Sequence, residues 1–102
     1  MRIISRKRLR DFWERVPAAK KTLELWYKVI NGARWAHFAE LRKTFNHADV
    51  ATTDNGNPVV IFDVGGNKYR VITAVHFNRG ICYILRVLTH KEYDTGQWKK
   101  EL

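Results

Sequence analysis

The hydrophobic period of this chain changes once, near residue 48, and that change limits the folds open to it. Before it, apolar residues recur every three to four positions. Leu9, Phe12, Trp13 and Val16 form one stripe, and Ala19, Leu23, Trp26, Tyr27 and Ile30 form another, which is the spacing of amphipathic helices. Ser5 is the expected N-cap of the first helix, Pro17 suits the first turn of the second, and Asn31-Gly32 ends it. The pair is expected to form a helical hairpin, and Phe38, Leu41 and Phe45 suggest one further short helix. Ile3-Ile4 reads as a short opening strand. After the change the pattern is that of strands, expected near 48–53, at Pro58–Val64, at Asn67–Phe77 and at Ile81–Thr89. Asp54-Asn55-Gly56-Asn57, Gly65-Gly66 and Asn78-Arg79-Gly80 supply the turns. The expected architecture is α+β: an N-terminal helical hairpin packed on a mainly antiparallel β-sheet, in a single domain spanning residues 1–102.

Composition excludes several classes of function. The longest apolar runs, such as Ile81-Cys82-Tyr83-Ile84-Leu85, fall far short of the roughly 18 residues a membrane helix needs, and Met1-Arg2-Ile3-Ile4-Ser5 leads into no apolar signal core. A cytoplasmic protein without membrane contact is expected. Cys82 is the single cysteine, flanked by apolar strand residues, and reads as a buried structural thiol. One Cys and four scattered His match no zinc spacing, and no carboxylate cluster suits another catalytic cation, so neither metal nor cofactor is expected. Ser5, the only serine, lacks the context of a hydrolase nucleophile. The formal charge of +9 favours a polyanionic partner. It is concentrated early, since residues 1–43 hold 12 of the 19 basic side chains and 4 of the 10 acidic ones.

Turn lengths predict where the strand charges point. A two-residue Gly65-Gly66 loop sets Asp63 opposite Lys68 and Ile61 opposite Arg70, while a three-residue loop at 78–80 pairs Ile72 with Arg86, Arg70 with Leu88 and Lys68 with His90. Because side chains alternate, Lys68, Arg70, Arg86 and His90 then share one face. Cations and an imidazole gathered in this way suit a phosphodiester, whereas a solvated strand face with Asp63 on Lys68 is the plain alternative. Thr89 and Glu92 have capping-box spacing, so the last strand should run into a helical turn that starts at His90 and carries Tyr93 three residues on. The positive end of that turn, with the nearby cations, disfavours the imidazolium and leaves the imidazole free to take a proton.

Several blocks of the chain also form a recognisable pattern: Val64-Gly65-Gly66-Asn67-Lys68-Tyr69-Arg70-Val71, then Cys82-Tyr83-Ile84, Arg86 and Thr89-His90-Lys91-Glu92-Tyr93-Asp94. With Met1-Arg2-Ile3-Ile4-Ser5 and Leu9-Arg10-Asp11-Phe12-Trp13, they resemble the HigB toxins of bacterial HigBA toxin-antitoxin modules over nearly the whole chain. The resemblance implies a RelE-like fold, ribosome-dependent cleavage of messenger RNA by metal-independent attack of the 2′-hydroxyl on the adjacent phosphate, and neutralisation by a HigA-type helix-turn-helix antitoxin. It implies Arg70 and Arg86 in charge stabilisation, Lys68 in phosphate positioning or base work, His90 in acid-base work, and Tyr93 orienting or stacking on a base. Asn67 and Lys91 are implied RNA contacts. A second class stays open, a non-catalytic RNA- or ribosome-binding module that uses the same basic face.

Overall fold

The computed structural model describes residues 1–102. Strand β1 (Arg2–Ile4) leads into helix α1 (Lys7–Arg15), a 3₁₀ turn (Pro17–Ala19), helix α2 (Lys20–Gly32) and helix α3 (Phe38–Thr44). Strands β2 (Asp49–Thr52), β3 (Pro58–Val64), β4 (Tyr69–His76) and β5 (Ile81–Thr89) follow, then the short helices α4 (His90–Asp94) and α5 (Gln97–Glu101). The five strands form one sheet in the order β1-β5-β4-β3-β2, antiparallel except that β1 lies parallel to β5. The α+β architecture expected from the period change is the one observed. No helix is long and apolar enough to cross a membrane.

The helical stripes do what their spacing requires. Leu9, Phe12, Leu23, Trp26 and Ile30 are buried in one core with Val60, Phe62, Val71, Ile84 and Val87 from the sheet. Phe62 is its fully buried centre, edge-on to Trp26 at 5.3 Å and to Phe45 at 5.1 Å. The opposite sheet face, which periodicity left uncovered, carries a smaller core. There Val59, Ile61 and Ile72 pack with Trp98 of α5. Ser5 is not the α1 N-cap: Arg6 occupies that position without a side-chain bond, and Ser5 takes φ 75° while its carbonyl accepts from the Arg8 amide at 3.0 Å.

Both hairpins differ from their expected loops, and both differences leave the key face unchanged. The β3–β4 loop has four residues, 65–68, so Val64 pairs with Tyr69 and Asp63 with Arg70. This moves the register by two, and a shift of two keeps each side chain on its face. Gly65, Gly66 and Asn67 all lie at positive φ (66°, 60° and 81°), a sequence of conformations suited to Gly and Asn. At Gly65 a Cβ would also come within 3.1 Å of the Tyr69 ring. The β4–β5 loop likewise has four residues, pairing His76 with Ile81, one position off the expected register. A bulge between Ile72 and Thr73 of β4, where β5 carries the extra residue Leu85, cancels that error. Ile72 therefore faces Arg86 and Arg70 faces Leu88, as the sequence predicts.

The capping box at α4 is complete. The Thr89 amide donates to Glu92 Oε1 at 2.9 Å and the Glu92 amide donates to Thr89 Oγ1 at 3.2 Å. Arg15 of α1 reaches the same carboxylate at 3.3 Å, so the start of α4 is tied to the N-terminal layer. Burial opposes ionisation of Glu92, but the Thr89 N–H and the Arg15 guanidinium outweigh it and hold the carboxyl below its ordinary value.

Two measurements follow. Phe62→Ala should lower unfolding free energy by about 3–5 kcal/mol in denaturant titration, the cost of an unfilled aromatic site; a loss under about 1 kcal/mol would contradict the packing described. A carboxyl with a lowered folded-state pKa stabilises the fold above its unfolded-state value, and that contribution is lost as pH falls through the folded-state value. The stability advantage of wild type over Glu92→Gln should thus be full at neutral pH and disappear below the ordinary glutamate range near pH ~4. Thermal denaturation across pH measures it, and a pH-independent difference would rule the ionic contribution out.

Candidate functional site around Arg70

Arg70 sits in β4 directly opposite Asp63 of β3, and only 6% of its surface remains exposed. A charge at that depth requires a partner. Its Nε lies 2.8 Å from Asp63 Oδ1. Nη1 donates to the carbonyls of Asn67 at 3.0 Å and Tyr69 at 3.3 Å, and Nη2 donates to Asn67 Oδ1 and lies 3.2 Å from His90 Nδ1. Five N–H groups meet five acceptors, which exhausts the guanidinium. The Tyr93 ring covers it, with the guanidinium carbon 5.0 Å from the ring centroid.

This arrangement fixes the state of His90. A guanidinium can only donate, so Nδ1 must be the acceptor and the ring proton resides on Nε2. There Asp94 Oδ2 accepts at 3.1 Å. The ring is held between an arginine and a carboxylate at the first residue of α4, and the His90 amide donates to the Lys68 carbonyl at 2.9 Å. That last bond realises the Lys68–His90 juxtaposition expected from the sequence.

The remaining candidates separate into near and far. The side chains of Lys68 and Lys91 are exposed and take part in no ion pair or hydrogen bond, so the cations free to meet an anion beside His90 are these two. Asp63 turns to Arg70 and not to Lys68, because the longer loop changes its cross-strand partner. Tyr93 also stacks on Trp98 at 5.4 Å, and the Trp98 indole donates to the Tyr93 carbonyl at 3.1 Å. Burial pushes the Tyr93 phenol above its ordinary value against the opposing pull of Arg70, leaving it a neutral hydrogen-bond donor. Arg86 is not joined to this cluster. Its Nη1 donates to its neighbour's carbonyl, Leu85, at 2.7 Å, and it lines a cavity of about 200 Å³ with Arg8, Asp11 and Arg15 of α1.

Three residues near the site are not resolved by the sequence alone. Asp63 pairs with Arg70 where the expected loop length sets it opposite Lys68, Asp94 is marked only by its i,i+4 spacing from His90 on a helix, and His47 stands in no motif. His47 lines a polar cavity of about 440 Å³ with Asp63, Gly66 and Asn67, beside the carboxylate that holds Arg70. No signal in the sequence joins residue 47 to residue 67, since the sheet alone brings them together. No three His, Cys, Asp or Glu side chains converge as metal ligands. Burial pushes the Cys82 thiol up to about 12, which leaves it without nucleophilic character at neutral pH.

Comparison with known proteins places this chain in a family. Residues 19–96 match the model of HigB_toxin, the RelE-like toxic component of a toxin-antitoxin system. The mRNA interferase toxin HigB of Escherichia coli K12 is 34% identical over 94 residues, covering 92% of this chain and 88% of that protein. The mRNA interferase HigB of Shigella flexneri shows the same figures, and that of Escherichia coli O6:H1 is 29% identical over 92% of this chain and 89% of its own. The match takes in α2, every element from α3 to α4, and the whole Arg70 cluster: the chain belongs to the HigB toxin family of RelE-like toxins.

Proposed function

We propose that this chain is a single-domain messenger-RNA endoribonuclease, the toxin of a type II toxin-antitoxin pair, acting in the cytoplasm on mRNA held by the ribosome. The observation that carries the reading is the imidazole of His90, held between Arg70 and Asp94, with its amide bonded to the carbonyl of the exposed Lys68 and the exposed Lys91 next in the chain. Family membership supplies the reaction class. A HigA-type helix-turn-helix antitoxin neutralises it.

Cleavage proceeds without metal. An incoming phosphodiester competes with His90 for Arg70 Nη2, and its capture by the guanidinium frees Nδ1. Nδ1 then takes the 2′-hydroxyl proton as O2′ attacks phosphorus. The bond to the 5′ oxygen breaks, the ammonium of Lys68 returns a proton to that oxygen, and the products are a 2′,3′-cyclic phosphate and a 5′-hydroxyl end. Arg70 and Lys68 stabilise the charge that builds on the phosphoryl oxygens, and Arg86, with Arg8 and Arg15, continues the basic track for the RNA backbone. Lys91 and Asn67 contact the RNA, and Tyr93 orients the guanidinium and faces a base with its phenol.

Inducing the chain alone and mapping 5′ ends of messenger RNA tests the reading. Growth arrest with discrete mRNA cleavage is expected; ribosome association with intact mRNA would instead favour the non-catalytic module. His90→Ala should lower cleavage by roughly 10²-fold or more, within the range for a general acid-base group, while ribosome binding stays nearly intact. Arg70→Lys keeps a charge for Asp63 but offers three donors where five are used, so it should lose cleavage to a similar degree of about 10²-fold with the fold retained by circular dichroism. Either variant cleaving at the wild-type rate would remove that residue from the reaction.

A further inference from the structure

Helix α2 buries Leu23, Trp26 and Ile30, yet its outer side carries two large aliphatic residues one turn apart in water. Leu25 is 64% exposed and Val29 38%. They form one wall of a groove of about 240 Å³ whose other walls include Trp26, Phe45, Val64 and Gly65. Trp26 lines this groove, and its indole N–H is buried without a hydrogen-bond acceptor, an unusual state for a buried donor. On its far side Leu25 also borders a hollow of about 660 Å³, lined by Arg6, Lys21 and Lys28 with Glu24 as the one carboxylate. An aliphatic strip one helical turn long, flanked by cations, is thus left without a partner.

We infer that this α2 face is the docking surface for the antitoxin's neutralising segment, an amphipathic stretch of acidic character that sets aliphatic side chains between Leu25 and Val29 and carboxylates against Arg6, Lys21 and Lys28. The inference rests on the family reading for the existence of a neutralising partner, and on the structure for where it binds. RNA offers no aliphatic surface to match Leu25 and Val29. A second copy of this chain would bring +9 against +9, and a basic face against a basic face. An acidic amphipathic segment answers both the apolar groove and its charged flank. Asp63, the counterion of Arg70, also lines this groove, so the segment is placed beside the Arg70 cluster.

The full-length Leu25→Glu/Val29→Glu variant tests this, with Val50→Glu as control, since Val50 is 54% exposed but lies on β2. The probe is the purified HigA-type antitoxin, titrated calorimetrically against each protein, with mRNA cleavage assayed in parallel. The double variant should bind at least about 100-fold more weakly, the loss typical of replacing a pair of central anchors, while it cleaves mRNA like wild type and Val50→Glu matches wild type in both. Unchanged antitoxin affinity would overturn the inference. So would a double variant that binds antitoxin normally but fails to cleave on ribosomes, which would assign the face to the ribosome, or a wild-type dimer that the double variant dissolves. The binding titration does not depend on catalysis, so a chain that proved inactive on mRNA would leave this test readable.

Discussion

A buried guanidinium holds together the parts of this protein that matter for chemistry. Arg70 reaches five acceptors in four parts of the fold: Asp63 on β3, Asn67 in the turn, Tyr69 on its own strand, and His90 on α4. Breaking a buried pair leaves an uncompensated charge, at a typical cost of about 3–5 kcal/mol, so the β3–β4 pairing, the turn and the start of α4 are energetically one unit. The four-residue turn exists in the form that delivers Asn67 to Arg70, because Gly65, Gly66 and Asn67 accept positive φ. The capping box then fixes where α4 begins, and with it the place of His90.

The charges divide by role. Arg70 is paired with Asp63, so in the free protein it organises its neighbours, whereas the side chains of Lys68 and Lys91 are exposed and in no ion pair. Arg86 works with α1, where Arg15 also clasps Glu92 of α4. The excess of positive charge in residues 1–43 is therefore brought to two places, the cavity near Arg86 and the α2 face. A substrate and a protein partner can then be attracted by one charge excess yet meet different chemistry, free ammonium groups and an imidazole in one place and exposed aliphatic side chains in the other.

Much of this was legible from residue spacing. The apolar stripes fix the helices because burying them has no alternative cost in polar groups, and the Thr89–Glu92 spacing marks the start of α4 to the residue. The register that pairs Ile72 with Arg86 and Arg70 with Leu88 was legible for a less direct reason. Both loops are longer than the simplest turns, but one shifts register by two and the other by one, with the Leu85 bulge restoring the difference. Bulges depend on strain across a whole hairpin and leave no short motif. The same limit hid Asp63's true partner and the small second core under Trp98, whose five-residue helix α5 is too short for periodicity to show. Arg86 shows the remaining gap: register gives the face of a backbone position, while a long side chain beyond the reach of β1, which pairs with β5 only at residues 81–83, goes where counter-charge and space permit.

The claim on which the mechanism stands is that Arg70 sets the state of the His90 imidazole. Two-bond ¹⁵N–¹H correlation spectra of the imidazole side chains, recorded on wild type and Arg70→Lys at neutral pH, report it directly. The account predicts that His90 in wild type is neutral with its proton on Nε2 and an unprotonated Nδ1, and that Arg70→Lys loses this single-tautomer signature. A His90 protonated on Nδ1 in wild type, or one that gives the same spectrum in both proteins, would contradict it.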